Sequence, residues 1–179
     1  KEKIGEGGSS VVFHYNNGKT RYACKKIKTS ISNVRNEINI MKTYSAHKHL
    51  PIYYDSLLNQ DDKLSKYFQY SYIFMEYCKG VELFTLLKSN FCHDVATKIV
   101  YQLLTAISHL QKFNIIHGDI KLENIIIDYK NDIKLIDFGI SKQLDGGKAI
   151  SLKNHSGTIG YLSPEWLLFN YATLKTDIW

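Results

Sequence analysis

The chain has 179 residues, one domain by length, and its 44% hydrophobic and 22% charged content excludes disorder, a collagen-like repeat or a coiled coil. Lys and Arg outnumber Asp and Glu by 23 to 17, a formal charge of +6, but the lysines stand in ones and twos, which reads as a solvated basic surface with no nucleic-acid partner. There is no stretch of about 18 uncharged apolar residues for a membrane span and no apolar leader core in KEKIGEGG. The three cysteines, Cys24, Cys78 and Cys92, form no CxxC pair and fit neither a disulfide framework nor a zinc ribbon. The expectation is an intracellular protein, cytoplasmic with the nucleus as the other compartment.

In chain order, the first third reads as strands: a run ending at Ile4, then residues 10–15, then 21–27. Asn16-Asn17-Gly18-Lys19 joins the last two, and Asn-Gly tolerates the positive φ of a tight hairpin turn. Val34, Ile38 and Met41 recur at helical spacing over residues 32–44, with Ser30 or Ser32 able to cap the start. Residues 52–58 and 70–77 read as two more strands. The aromatic tract from Lys66 to Phe74 superficially suits base stacking, but strand burial accounts for it.

After Gly80 the texture turns helical. From His93 to Phe113, apolar residues at Val95, Ile99, Val100, Leu103, Leu104, Ile107 and Leu110 make a stripe too wide for a surface helix. Ile125 to Ile127 and Ile133 to Ile136 bracket residues 129–132 as a small hairpin. Strands first and helices after form an α+β pattern with two lobes.

Ile4 to Val12, IGEGGSSVV, is a glycine-rich turn where backbone N–H groups can approach phosphates. A strand follows it, which rules out a Rossmann loop, whose glycines open a helix; a plain β-hairpin accounts for it equally. Lys25 on the next strand and Glu37 on the inward side of the helix form a pair able to hold a point charge over a nucleotide phosphate. In HGDIKLENIIID, Asp119, Lys121 and Asn124 follow His117 within one loop, and Asp137-Phe138-Gly139 follows an apolar strand. An Asp and an Asn offer oxygen ligands to divalent cations, while a second Asp accepts a hydroxyl proton.

Taken together and in order, the glycine-rich loop, Lys25, Glu37, HGDIKLEN, DFG and GTIGYLSPE resemble the signature set of the eukaryotic protein kinases, from Lys1 to Trp179. The resemblance implies an α+β, two-lobed, protein-kinase-like fold. Residues 1–77 would form an N-terminal antiparallel sheet plus one helix. Residues 78–179 would form a helical lobe that is incomplete, because Asp177-Ile178-Trp179 matches the start of the family's long central helix. Without that helix, the stripe from Val95 to Leu110 is expected to leave an apolar patch exposed.

The resemblance also implies ATP and Mg2+ as cofactors. Gly5, Gly7, Val12, Ala23, Lys25, Glu37, Glu76, Cys78 and Ile126 match nucleotide-binding positions. Among them Lys25 would contact the α- and β-phosphates with Glu37 holding it, and Glu76 to Cys78, after Met75, would be the hinge. Asp119 would be the base and Lys121 would neutralise the transferring group, with Asn124 and Asp137 as magnesium ligands. Met41, Tyr53, His117 and Phe138 match a stacked regulatory spine. Lys121 and Thr158 match the serine/threonine branch, which implies a protein substrate with a Ser or Thr acceptor.

Two departures stand out. Ser10 occupies the place of the third loop glycine. Gly118 replaces the arginine before the base, so segment 140–157 is not expected to be switched on by a phosphate in that pocket. Two other readings stand beside the enzyme: a non-catalytic kinase-like interaction module, and a small-molecule phosphotransferase of the choline or aminoglycoside type. The latter share the HGD loop but lack Lys121, DFG with its following segment, and GTxxYxxPE.

Overall fold

A computed structural model describes residues 1–28, 31–59, 70–86, 92–151 and 157–179. Ser30, residues 66–69 of the aromatic tract and residues 152–156 lie outside these. The chain divides into two compact units, Lys1–Ser45 with Pro51–Cys78, and Ala46–Leu50 with Lys79–Trp179.

Among the described residues, the first unit is a five-stranded antiparallel sheet and one helix. Its elements are β1 (Glu2–Glu6), β2 (Ser10–Asn16), β3 (Arg21–Ile27), α1 (Ile31–Tyr44), β4 (Tyr53–Leu57) and β5 (Ser71–Glu76), with strand order β1-β2-β3-β5-β4. The β2–β3 turn is closed by its own side chains. Asn17 Oδ1 accepts from Lys19 N at 3.1 Å, Thr20 N at 2.8 Å and Thr20 Oγ1 at 3.0 Å, while Gly18 takes φ 84°.

Helix α1 starts one residue before Ser32, so that serine lies inside the helix and is not its cap. Its buried residues are Val34, Glu37, Ile40 and Met41, with Ile38 only half-buried. Glu37 thus faces inward and meets Lys25, as expected, while Ile38 lies at the edge of the buried stripe.

The second unit comprises β6 (Val81–Glu82), α2 (His93–Gln111), β7 (Ile115–Ile116), β8 (Ile125–Ile127), β9 (Ile133–Leu135), β10 (Lys142–Gln143), β11 (Ile150–Ser151), α3 (Pro164–Phe169) and β12 (Tyr171–Ala172). Strands β6-β8-β9 form one small sheet, and β7 pairs with β10 and β11 with β12. Helix α2 ends at Gln111, short of Phe113, because Phe113 N and Asn114 N donate to Leu110 O and Gln111 O at 3.0 Å each, a tightened turn that Asn114 leaves at φ 57°.

Ile99, Gln102, Ala106, Ile107 and Leu110 of α2 are buried, but Val100 and Leu104 of the expected stripe are 54% and 48% exposed. The buried Gln102 pins the β8–β9 hairpin to the helix: its Nε2 donates to Asn131 O and its Oε1 accepts from Ile133 N, both at 2.9 Å. Residues 46–50 join this unit because Leu135 N donates to His49 O, His49 Nδ1 to Ile133 O, and Lys134 Nζ to Leu50 O, each at 2.9 Å. At Gly80, φ is 152° and a Cβ would sit 2.2 Å from Ile127 O, so a glycine there is what lets β6 reach β8. Helix α3 begins as its sequence requires, with Pro164 in the first turn and the Ser163 hydroxyl accepting from Trp166 N at 3.4 Å.

Candidate active site

In the first unit, cross-strand register gathers the residues matched to the nucleotide. Gly5 pairs with Val12, Val12 with Lys25, and Lys25 with Ile73, one row across four strands. The next row holds His14, Ala23 and Met75. Residues two apart on a strand share a face, so Val12, Ala23 and Lys25 look out from the same side. Lys25 Nζ meets Glu37 Oε1 at 2.5 Å, with the residues 6% and 3% exposed. A buried pair of this kind barely repays its desolvation, so its geometry is better explained by the task of aiming a charge.

None of the three loop glycines has a positive φ, and a Cβ on Gly7 would meet only Ser10 Oγ at 3.5 Å while one on Gly8 would meet nothing within 4 Å. The fold itself therefore does not demand glycine at these two positions, and the space beside the loop is open. Glu76 ends β5, its N donating to Ile52 O at 2.8 Å and its Oε2 accepting from Ile52 N at 3.1 Å. Cys78 is half-buried and its thiol donates to Glu76 O at 3.8 Å.

In the second unit, three side chains from two distant segments close a triangle. Lys121 Nζ lies 2.9 Å from Asp119 Oδ2 and donates to Thr158 Oγ1 at 2.8 Å; Thr158 Oγ1 donates to Asp119 Oδ1 at 2.8 Å. Asn124 Nδ2 adds bonds to Asp119 O at 2.8 Å and to Oδ2 at 2.9 Å. Both carboxylate oxygens are thus held in a fixed plane. Ile126 is half-buried between the buried Ile125 and Ile127, on the opposite face of β8.

The loop carrying Asp119 is braced from behind. Asp177 accepts from His117 N at 2.6 Å and Gly118 N at 2.9 Å, and Ser141 Oγ donates to His117 O at 2.9 Å. Burial pushes the Asp177 carboxyl up, against the pull of His117 and of the two backbone donors. His117 Nε2 faces Ile136 O at 3.1 Å and so carries the proton, leaving Nδ1 to accept from Asp119 N at 3.3 Å. Burial also pushes the His117 imidazole down, against the pull of Asp177, Asp137 and Asp119, consistent with that neutral form. Its ring meets Phe138 edge to face at 5.1 Å.

Asp137 is exposed and held at φ 68°, an uncommon backbone for a residue other than glycine, with its Oδ1 accepting from Gly139 N at 3.1 Å. Strain of this kind costs about 1 kcal/mol or more and concentrates at functional positions. Ile136 N donates to Asn124 O at 2.9 Å, which sets Asp137 one residue from the backbone of Asn124. Because the Asn124 amide nitrogen is turned to Asp119, its oxygen is left for a ligand. An amide oxygen and a carboxylate fit Mg2+, which takes one or two protein oxygens and completes its shell with phosphate and water.

Sequence reasoning missed the brace. Asp177 is 60 residues from His117, and neither Ser141 nor Gln102 carries a motif that announces a long-range bond.

Across residues 1–179 the chain matches the protein kinase domain family. It is 43% identical over 110 residues to an Aurora kinase of Eremothecium gossypii, covering 60% of this chain and 29% of that protein. To the serine/threonine-protein kinase pakA of Dictyostelium discoideum it is 33% identical over 190 residues, covering 99% of this chain and 15% of that protein. To myosin light chain kinase A of Dictyostelium discoideum it is 30% identical over 192 residues, covering 100% and 61%. The chain thus spans less than two thirds of the length of each of these relatives.

Proposed function

This chain belongs to the protein kinase domain family, and from that premise we propose that it transfers the γ-phosphoryl group of ATP to a serine or threonine hydroxyl of a protein. The triangle of Asp119, Lys121 and Thr158 carries the reading, supported by a relative named a serine/threonine-protein kinase. Asp119 orients the acceptor hydroxyl and takes its proton as the new oxygen–phosphorus bond forms; the bond from γ-phosphorus to the bridging oxygen breaks, and its electron pair leaves with ADP. Lys121 sets a positive charge against the transferring group, and Lys25, aimed by Glu37, does so against the other phosphates. Held by Asn124 and Asp137, Mg2+ supplies further neutralisation of phosphate charge.

The test is Mg2+-dependent ATP binding, read as a shift in thermal unfolding, with Lys25→Met and Asp137→Asn alongside. Binding to the native state raises apparent stability. A shift lost in both variants, followed by phosphate transfer to a generic basic protein, is the expected result. Transfer to choline or an aminoglycoside instead would move the chain to the small-molecule class. A cooperative melt with no ATP shift would leave a kinase-like interaction module.

A further inference from the structure

Strand β2 carries one residue that neither the phosphate loop nor the catalytic triangle uses. His14 stands two residues beyond Val12 on the same face, paired with Ala23, which in turn pairs with Met75 of β5. Two residues past Met75, the chain has left the sheet, and there the Tyr77 ring lies over the His14 ring, with centroids 3.8 Å apart and planes 12° from parallel. The His14 side chain is 15% exposed, and its Nδ1 is 3.9 Å from a Glu2 carboxylate oxygen on β1. Its Nε2 is enclosed and has no hydrogen-bond partner among the described residues. A buried ring nitrogen without a partner costs free energy that leucine or phenylalanine in the same place would not. The contact that the ring does make is the parallel stack on Tyr77, which depends on its flat face and not on its nitrogens.

We propose that His14 is a positioning residue for the nucleotide: by stacking on Tyr77 it fixes the backbone of residues 76–78, which the sequence match places against the purine. The inference rests on the ATP reading above. The stack ties the segment after β5 back to the row that contains Ala23, so the main chain that meets the base and the small side chain beside it are held by one contact. Its partners are Glu2, His14 and Tyr77, all of the first unit, and none of them is a residue that reacts.

The full chain is compared with His14→Ala, His14→Phe, Tyr77→Leu and the double His14→Ala/Tyr77→Leu variant. Three quantities are read: thermal unfolding, the Mg2+-ATP dissociation constant by calorimetry, and amide exchange of the peptide covering residues 76–79. His14→Ala and Tyr77→Leu are each expected to weaken ATP about threefold to tenfold, the effect of a lost aromatic pair, and to speed exchange of that peptide. His14→Phe, which keeps a flat ring, is expected to restore both, and the double variant to lose no more than either single one. In turnover the loss falls on KM for ATP and not on kcat. ATP binding by His14→Ala equal to that of the parent, or no recovery in His14→Phe, overturns this inference alone. No ATP binding by the parent chain overturns it together with the reading on which it rests. If His14→Ala does not fold, Tyr77→Leu and His14→Phe decide by the same criteria.

Discussion

Thr158 holds Asp119 from 39 residues away: its hydroxyl donates to Oδ1 at 2.8 Å. Lys121 Nζ donates to the same hydroxyl oxygen, also at 2.8 Å, so the threonine is both a clamp and a relay. Without it the Asp119 carboxylate keeps, among the described residues, its Oδ2 contacts to Lys121 and Asn124, and its plane can turn. Misplacing a reacting group by about 1 Å can cost a factor of about 100. Thr158→Val is therefore expected to lower kcat about 10- to 100-fold with little change in KM for ATP, and Thr158→Ser to keep most of the rate. Steady-state kinetics on a protein substrate checks this; an undiminished kcat in Thr158→Val contradicts it.

The Lys25–Glu37 pair separates stability from function. Lys25→Met removes the cation from a carboxylate that is 3% exposed, and breaking such a pair costs about 3 kcal/mol. Lys25→Met/Glu37→Leu, which removes both charges, should recover most of that cost while ATP binding stays lost. Urea unfolding and calorimetry on the two variants measure the contrast; equal stability of both would deny the desolvation argument.

Two glycines make opposite predictions. Gly80→Ala places a Cβ 2.2 Å from Ile127 O, and relief requires moving β6, so a loss of about 3 kcal/mol is expected, the scale of severe backbone substitutions. Gly7→Ala meets nothing closer than Ser10 Oγ at 3.5 Å and should change stability by less than about 0.5 kcal/mol while weakening ATP. Denaturant melts and ATP titration of the pair give the answer, and a stable Gly7→Ala chain with unchanged affinity would remove the phosphate role of the loop.

A cluster of histidines predicts an acid-sensitive site. His47 stacks on His109 at 4.9 Å and meets His49 edge on at 5.5 Å. Burial first, then the nearby charges of His109, His49, Lys48 and Lys112, push the His47 imidazole down to about 4 from 6.5. The folded value is below the unfolded one, so the unfolded chain binds the extra proton across this window. The contribution is complete above pH 6.5 and is lost as pH falls toward 4. Stability should decline over that range by about 1 kcal/mol more in the parent than in His47→Phe, after allowance for solvent screening. Denaturant melts at several pH values between those limits test it, and parallel profiles of the two proteins would refute it.

Gly118 does not simply lack an arginine. Its φ is 81° and a Cβ would lie 3.1 Å from the Trp166 ring, within the buried cluster of Ile116, Leu144, Trp166 and Ala172. Leu144 is part of that cluster and Ile140 and Ile150 pack against it, and phosphatase treatment is expected to leave activity unchanged. Gly118→Arg should destabilise the chain by about 1–3 kcal/mol without creating a phosphate dependence. A large fall in activity on dephosphorylation of the parent would show that another receptor exists.

Apolar periodicity and turn chemistry in the sequence alone located β2, β3, α1, β5 and α2 to within about two residues, because those signals are local. The order of loop, lysine, catalytic segment and DFG identified the family for the same reason: each motif is a short run of chain. Ile38 is only half-buried and α2 stops at Gln111, short of Phe113, because contacts beyond the local pattern decide both, whereas the exposed Val100 and Leu104 match the apolar patch expected on that helix. The two-residue strands β6, β7, β10, β11 and β12 have no period to detect.

Only tertiary structure brought Asp177 beneath the His117 and Gly118 amides, set Asp137 at φ 68°, and laid Tyr77 on His14. A buried carboxylate, a left-handed aspartate and a ring with an unpartnered nitrogen are each unfavourable by themselves. They persist because the surrounding packing offsets their cost, and that compensation comes from residues far apart in the chain.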